Sequence, residues 1–284
     1  MQERPAIRDV ARHIKNELKE IYPEQEIHSL TEIILYHVVN LKKTELLINP
    51  GKIINYQQLK AIEDITKQLK NHKPIQQILG KTVFYNTTLK VNQHILIPRQ
   101  ETEELVDWII KDASTEKKSI LDIGTGSGCI AIALAKNLSG STVSALDYKP
   151  EILDMAKENA LLNEVTIRFI LADVLIDDPP PDQYDLVVSN PPYVRISEKK
   201  FMAQNVLNYE PYESLFVQDE NPMIFYKKII HWARKCLAEN GFLYFEINEH
   251  LGKEMIELLQ ENGFNHICLK KDINKKDRMI KAQK

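Results

Sequence analysis

The segment Asn190-Pro191-Pro192-Tyr193 puts an amide, two rigid residues and an aromatic ring at the end of the apolar run "DLVVS". The Asn190 side-chain oxygen can accept one hydrogen of an incoming planar NH2 group, and the Pro191 carbonyl can accept the other. The prolines hold φ at about −65° and contribute no N–H, so the turn offers acceptors only. A planar amide or aromatic amine is a poor nucleophile because its lone pair is delocalised, so moving a group onto it requires positioning and electrostatics. Tyr193 can stack on the flat group or lie close to a cation. Asn190, Pro191 and Tyr193 are therefore the catalytic candidates, and together with Pro192 they are candidate substrate contacts. An isolated N-P-P would be a proline-stiffened turn, but here it follows a second chemical motif.

That motif is "LDIGTGSGCIAIALA", in which Gly124, Gly126 and Gly128 lie between an apolar strand pattern and a helical one. Glycines there permit a tight turn and let a ligand approach the backbone near the positive end of a helix. The spacing is G-x-G-x-G, whereas a dinucleotide fingerprint reads G-x-G-x-x-G, and Cys129 stands at the place of its last glycine. Asp147 closes the next strand pattern, where a carboxylate can accept both hydroxyls of a ribose. Asp173 closes the third, where it or its backbone can meet an adenine edge. Asp122, just before the first glycine, can hold a cationic amine or organise the loop. Each aspartate alone could be a helix cap or a loop solvator. Three carboxylates around one pocket suit a positively charged ligand better than a pyrophosphate, and S-adenosylmethionine, with its sulfonium and α-amino groups, fits. Asn190 falls on the same rim.

The elements that must position these residues alternate. Strand patterns at "SILDIG", "STVSALD", "VTIRFILAD", "YDLVVSN" and "GFLYFEIN", with late strands near 264–271 and 278–282, are separated by helical patterns at "SGCIAIALAKNL", "PEILDMAKENALLN", 221–239 and 251–262. The expected fold is α/β, a mostly parallel seven-stranded sheet covered by helices, with ligands at the carboxyl ends of its strands. Before it, apolar residues at helical spacing (Ile7, Val10, Ile14, Leu18, Ile21; Ile27, Leu30, Ile33, Ile34, Val38; Tyr56, Leu59, Ile62, Ile65, Leu69) predict a small helical bundle over 1–75, broken at Pro23 and "INPGK". Residues 76–100, with partial alternation around Asn86 and Asn92, read as a β-hairpin linker. The main domain is expected over 101–284, and "DDPPPD" at 177–182 reads as a loop.

Composition excludes several classes. The chain has 284 residues, 43% apolar and 27% charged, with a net charge of −3, so it has no basic field of the kind that phosphate-driven binding needs. The three cysteines are far apart without a C-x-x-C pair, and the eight histidines show no H-E-x-x-H pairing, so neither a disulfide framework nor a metal centre is expected. No stretch approaches the ~20 apolar residues of a membrane helix, and the charged start lacks a signal-peptide core. A cytoplasmic, soluble, monomeric protein is expected.

Taken together, the glycine loop, the strand-end Asp147 and "NPPY" resemble a class I S-adenosylmethionine-dependent N-methyltransferase of the group that methylates planar nitrogens. "PIQQILGKTVFYNTTLKVNQHILIPRQETEELVDW", "NPPYV" and "YEPYESLF" resemble, more narrowly, the PrmC/HemK family of glutamine N5-methyltransferases that modify peptide-chain release factors. The resemblance covers nearly the whole chain. It implies that the substrate is the glutamine of the Gly-Gly-Gln loop of class 1 release factors and that the helical domain docks the release factor. It also implies cofactor contacts from the glycine loop, Asp147, Asp173 and Asn190, and a substrate amide held by Asn190 and Pro191. Arg99, Glu101 and Thr102 match the family's "IPR-x-x-TE" segment and are expected to line the cleft. Gln100 stands where the family has proline, Asn86 where it often has glycine and Ser214 where alanine is common, and the tail keeps Asp272 and Arg278 without the usual glycine between them. The competing reading is an adenine N6-methyltransferase acting on DNA or RNA through the same chemistry. It would need a basic surface or a target-recognition domain, and residues 1–75 are nearly balanced in charge.

Overall fold

A computed structural model describes residues 5–41, 43–113 and 117–284. Two units cluster separately, one of residues 1–80 with 203–209, the other of residues 81–202 with 210–284.

The first unit is helical: α1 (Ile7–Leu18), α2 (Glu24–Val39), α3 (Lys43–Ile48), α4 (Tyr56–Lys70) and α5 (Ile75–Leu79). Its core forms because Ile7, Val10, Ile14 and Leu18 of α1 share one face, which meets Ile27, Leu30 and Ile34 of α2 and Ile62 and Leu69 of α4. Asn55 starts α4 with a capping box: its side chain accepts the Gln58 N–H at 2.9 Å and its own N–H donates to the Gln58 side chain at 3.0 Å. Two residues placed on the apolar faces are exposed. Ile33 lies one position off the Ile27–Leu30–Ile34 stripe, and Tyr56 opens α4 before the burial that is complete at Ile62. The residues ahead of the hairpin also differ from the linker reading, since α5 is a helical turn ended by Gly80 at φ 67°.

The second unit begins with β1 (Lys81–Phe84) and β2 (Thr87–Lys90), an antiparallel hairpin. Its two turn residues, Tyr85 and Asn86, both have positive φ (42° and 60°), as a two-residue turn matched to strand twist requires. Asparagine tolerates that conformation, which explains how Asn86 serves where glycine is common. Asn92 turns no strand, and its side chain accepts the His94 N–H at 2.8 Å.

Then follow α6 (Gln100–Ala113), β3 (Ser119–Ile123), α7 (Cys129–Asn137), β4 (Thr142–Asp147), α8 (Pro150–Leu162), β5 (Arg168–Leu171), β6 (Tyr184–Ser189), β7 (Val194–Arg195), α9 (Gln204–Tyr209, which clusters with the helical unit), β8 (Phe216–Val217), α10 (Ile224–Cys236), β9 (Leu237–Glu246), α11 (Gly252–Glu261), β10 (Asn265–Lys271) and β11 (Asp277–Gln283). Seven strands form one sheet in the order β10-β11-β9-β6-β3-β4-β5. β9, β6, β3, β4 and β5 run parallel, and β11 is antiparallel to both its neighbours. Alternate residues of each strand feed opposite faces: Ile120 joins the core under α6 and α7, while Leu121 and Ile123 join the core under α10 and α11. The chain leaves β3 toward β4 and returns to pair β6 on its other side, so a crevice opens beyond the carboxyl ends of β3 and β6. Among the described residues, no helix is long and apolar enough to cross a membrane.

Candidate active site

The loop after β3 folds back on β4. The N–H groups of Gly124 and Thr125 both donate to Leu146 O (2.8 and 2.9 Å), and the Gly128 N–H donates to Thr125 O at 2.9 Å. Asp147 joins the two strand ends, accepting the Gly126 N–H through Oδ2 and the Tyr148 N–H through Oδ1, each at 2.9 Å. Gly124, Gly126 and Gly128 have φ of 74°, 55° and 81°, values that cost other residues about 1–2 kcal/mol. A Cβ on Gly124 or Gly126 would meet nothing within 4 Å, whereas on Gly128, the residue that starts α7, it would come within 3.0 Å of Ile132 Cδ1 and 3.3 Å of Ala156 Cβ. Two glycines therefore keep space open, and the third lets α7 and α8 pack.

Asp122 lies behind the loop, fully buried. Its Oδ2 accepts the Thr125 hydroxyl at 2.6 Å, and its Oδ1 makes no hydrogen bond. Burial pushes its carboxyl up to about 7, with the Asp147 charge adding to the effect. Asp147 is also raised by burial, against the opposing pull of backbone N–H groups.

A cavity of about 310 Å³ opens beside this loop, within the range of small-molecule sites. Gly124, Gly126, Asp147, Asp173, Asn190, Pro191, Pro192, Arg99 and Thr102 line it. Gly128, Asp122 and Glu101 do not, and Tyr193 lines only a smaller adjoining cavity. Asp173 is held by its own turn, accepting the Leu175 N–H at 2.8 Å. Apolar walls come from Ile152, Val174, Phe225 and Ile229. Of the charged lining, Asp147, Asp173 and Glu213 are acidic, Glu213 being paired with Lys149 at 3.2 Å. Arg99 is basic but is paired with Glu210 at 2.5 Å.

This donor set fits a cationic adenosyl ligand. A pyrophosphate would need free loop N–H groups and an unpaired cation. Here the N–H groups of Gly124, Thr125, Gly126 and Gly128 are already bonded within the protein. Acidic lining suits a sulfonium and an ammonium, and apolar walls suit the faces of a base. No group of three His, Cys, Asp or Glu able to hold a metal ion occurs among the described residues.

The smaller cavity, about 40 Å³, is lined by Asn190, Pro191, Tyr193, Arg99 and Glu246, among others. Asn190 Nδ2 donates to Thr102 Oγ1 at 3.1 Å, Thr102 Oγ1 donates to Glu246 Oε2 at 2.6 Å, and the Tyr193 hydroxyl donates to Glu246 Oε1 at 2.9 Å. Burial raises the Glu246 carboxyl above its ordinary value, while the two hydroxyls and Arg278 pull it down. Burial also raises the Tyr193 phenol. The Asn248 side chain donates to Tyr193 O at 3.1 Å, fixing the turn from outside.

Two site residues escaped the sequence reading. Glu246 ends "GFLYFE" as Asp147 ends "STVSALD", so the strand-end carboxylate rule applied to β4 would have found it. Glu210, with a side chain 1% exposed, lies in "YEPYESLF", and nothing local marks it as the partner of Arg99.

The family model described as the methyltransferase small domain matches residues 100–211, and that of the PrmC N-terminal domain matches residues 9–80. A protein of Flavobacterium psychrophilum named release factor glutamine methyltransferase is 49% identical over 93% of this chain and 94% of its own length. One of the same name from Bacteroides thetaiotaomicron is 38% identical over 97% of this chain and 99% of its own. Among solved structures, a 16S rRNA N2 G1207 methyltransferase from T. thermophilus, in complex with AdoMet and guanosine, aligns with a TM-score of 0.51 at 16% identity over 72% of this chain and 49% of that one. That likeness concerns the fold. With matches of this identity and coverage, the chain belongs to the release factor glutamine methyltransferase family.

Proposed function

We propose that this protein transfers a methyl group from S-adenosylmethionine to the side-chain amide nitrogen of the glutamine in the Gly-Gly-Gln motif of class 1 peptide-chain release factors. The observation that carries this reading is a largely apolar cavity with Asp147 and Asp173 in its lining, joined to a smaller one through Asn190 and Pro191. The relatives named release factor glutamine methyltransferase favour glutamine over adenine as the planar group.

Gly124, Gly126, Asp147, Asp173 and Asn190 hold the cofactor, with Asp122 bracing the loop from behind through the Thr125 hydroxyl. When bound, the cofactor supplies an electrophilic methyl carbon. Asn190 Oδ1 accepts one hydrogen of the substrate NH2 and Pro191 O the other, which orients the nitrogen and excludes rotation about the C–N bond. Pro192 and Tyr193 shape the wall, and Arg99 and Thr102 border both groups. As the nitrogen gains the methyl carbon it loses a proton, which passes to water.

The helical unit docks the release factor, and the reaction takes place in the cytoplasm on a monomeric enzyme. The test is mass spectrometry of a class 1 release factor incubated with protein and cofactor. One added methyl group on the Gly-Gly-Gln glutamine is expected; an unmodified loop, or methyl on nucleic acid instead, overturns the reading.

A further inference from the structure

We propose that Thr102 and Glu246 are positioning residues that fix which end of the Asn190 amide faces the substrate, a role that rests on the reading of function above. Glu246 closes β9, the neighbour of β6, whose last residue precedes Asn190, and Thr102 lies in the first turn of α6. Three side chains distant in sequence thus meet at one rim.

Their order has a single polarity. The Glu246 carboxylate, 1% exposed, accepts through both oxygens, from Thr102 and from Tyr193. A hydroxyl carries one hydrogen. Once Thr102 gives its hydrogen to Glu246, only lone pairs remain at Oγ1, and only the NH2 end of Asn190 can bond there. Nδ2 does so at 3.1 Å. Oδ1 is then the end left for the substrate, the acceptor that an incoming NH2 requires. A flipped Asn190 would set two lone pairs against each other at Thr102 and present N–H to N–H at the substrate. Thr102 itself is 2% exposed and Glu246 is buried, so water cannot easily replace either partner, and the orientation persists before substrate arrives. This is preorganisation: the acceptor is turned in advance of the reaction.

The test compares Thr102→Val, which removes the hydroxyl, with Thr102→Ser, which keeps it. With release factor as substrate, Thr102→Val should lower kcat ~10-fold or more while cofactor affinity and substrate KM change less than ~3-fold, and Thr102→Ser should remain within ~3-fold of wild type. Equal losses in both variants, or no loss in Thr102→Val, overturn the proposal, because packing and not the hydroxyl would then be the cause. A second readout needs neither cofactor nor substrate. The Asn190 side-chain NH2 resonances, assigned by their disappearance in Asn190→Ala, should exchange with solvent at least ~10-fold faster in Thr102→Val than in wild type or Thr102→Ser. Unchanged exchange contradicts the relay. If exchange responds as expected but wild type leaves release factor unmodified, the function reading fails and the positioning stands.

Discussion

Asp147 Oδ2 accepts the Gly126 N–H at 2.9 Å, so the carboxylate that ends β4 is bonded to the loop that ends β3. The same side chain lines the larger cavity. On the proposed reading, Asp147→Ala removes a ligand contact and frees the loop together. Hydrogen bonds to charged groups contribute about 1.5–3 kcal/mol, so cofactor affinity should fall by ~10-fold to ~100-fold, with kcat at saturating cofactor changed much less. Calorimetric titration measures it, and unchanged affinity would remove Asp147 from the site.

The glycine loop predicts two different failures. Gly128→Ala adds a methyl against Ile132 and Ala156 on top of an unfavourable φ, so it should destabilise the fold by about 2–4 kcal/mol. Gly126→Ala meets no such neighbour and should lose only about 1–2 kcal/mol, while its methyl, at the cavity wall, weakens cofactor binding. Chemical denaturation and titration of both variants check the contrast; equal stability losses would refute it.

Asp122 makes a prediction about pH. Its folded carboxyl is raised from 3.8 to about 7, so between those values the folded state binds more protons than the unfolded chain. Stability from this group is therefore complete below about pH 4 and declines as pH rises to 7. That rise corresponds to roughly 4 kcal/mol as an upper bound. Asp122→Asn keeps an acceptor for Thr125 and carries no charge, so the variant should match wild type near pH 4 and exceed it at pH 8. Parallel stability profiles for the two proteins across this range would show that the buried charge costs nothing.

Lys275 has φ 64° in the turn between β10 and β11, where its N–H donates to Asp272 O at 2.8 Å. This is the tail that carries no glycine between Asp272 and Arg278. Lys275→Gly should relieve the backbone strain and stabilise the protein by about 0.5–1 kcal/mol after the entropy of the unfolded glycine is counted. A lower Tm in the variant would contradict this.

What could be read from the sequence was what is local. The strand, glycine loop and helix over 119–138 carry their pattern in consecutive residues, and so does the Asn190 turn, with its prolines. The helix α6 is obscured in "QETEELVDWIIKDA", where a motif overlies the helical spacing that buries Leu105, Val106, Ile109 and Ala113 on one face. Asp122 and Gly128 look like pocket residues in the sequence because loop residues look alike in one dimension; the alternation of β3 and the packing of α7 on α8 put them behind it. Glu246 and Thr102 meet only because α6 packs on β9, and they reach Asn190 because β9 pairs with β6, relations that depend on topology and not on any segment.

The most direct measurement is the turnover of Asn190→Ala on release factor beside its affinity for S-adenosylmethionine. If Asn190 Oδ1 holds the substrate nitrogen in the transition state, kcat should fall by ~100-fold or more while cofactor affinity changes far less. Equal losses in both quantities, or turnover close to wild type, would contradict the account.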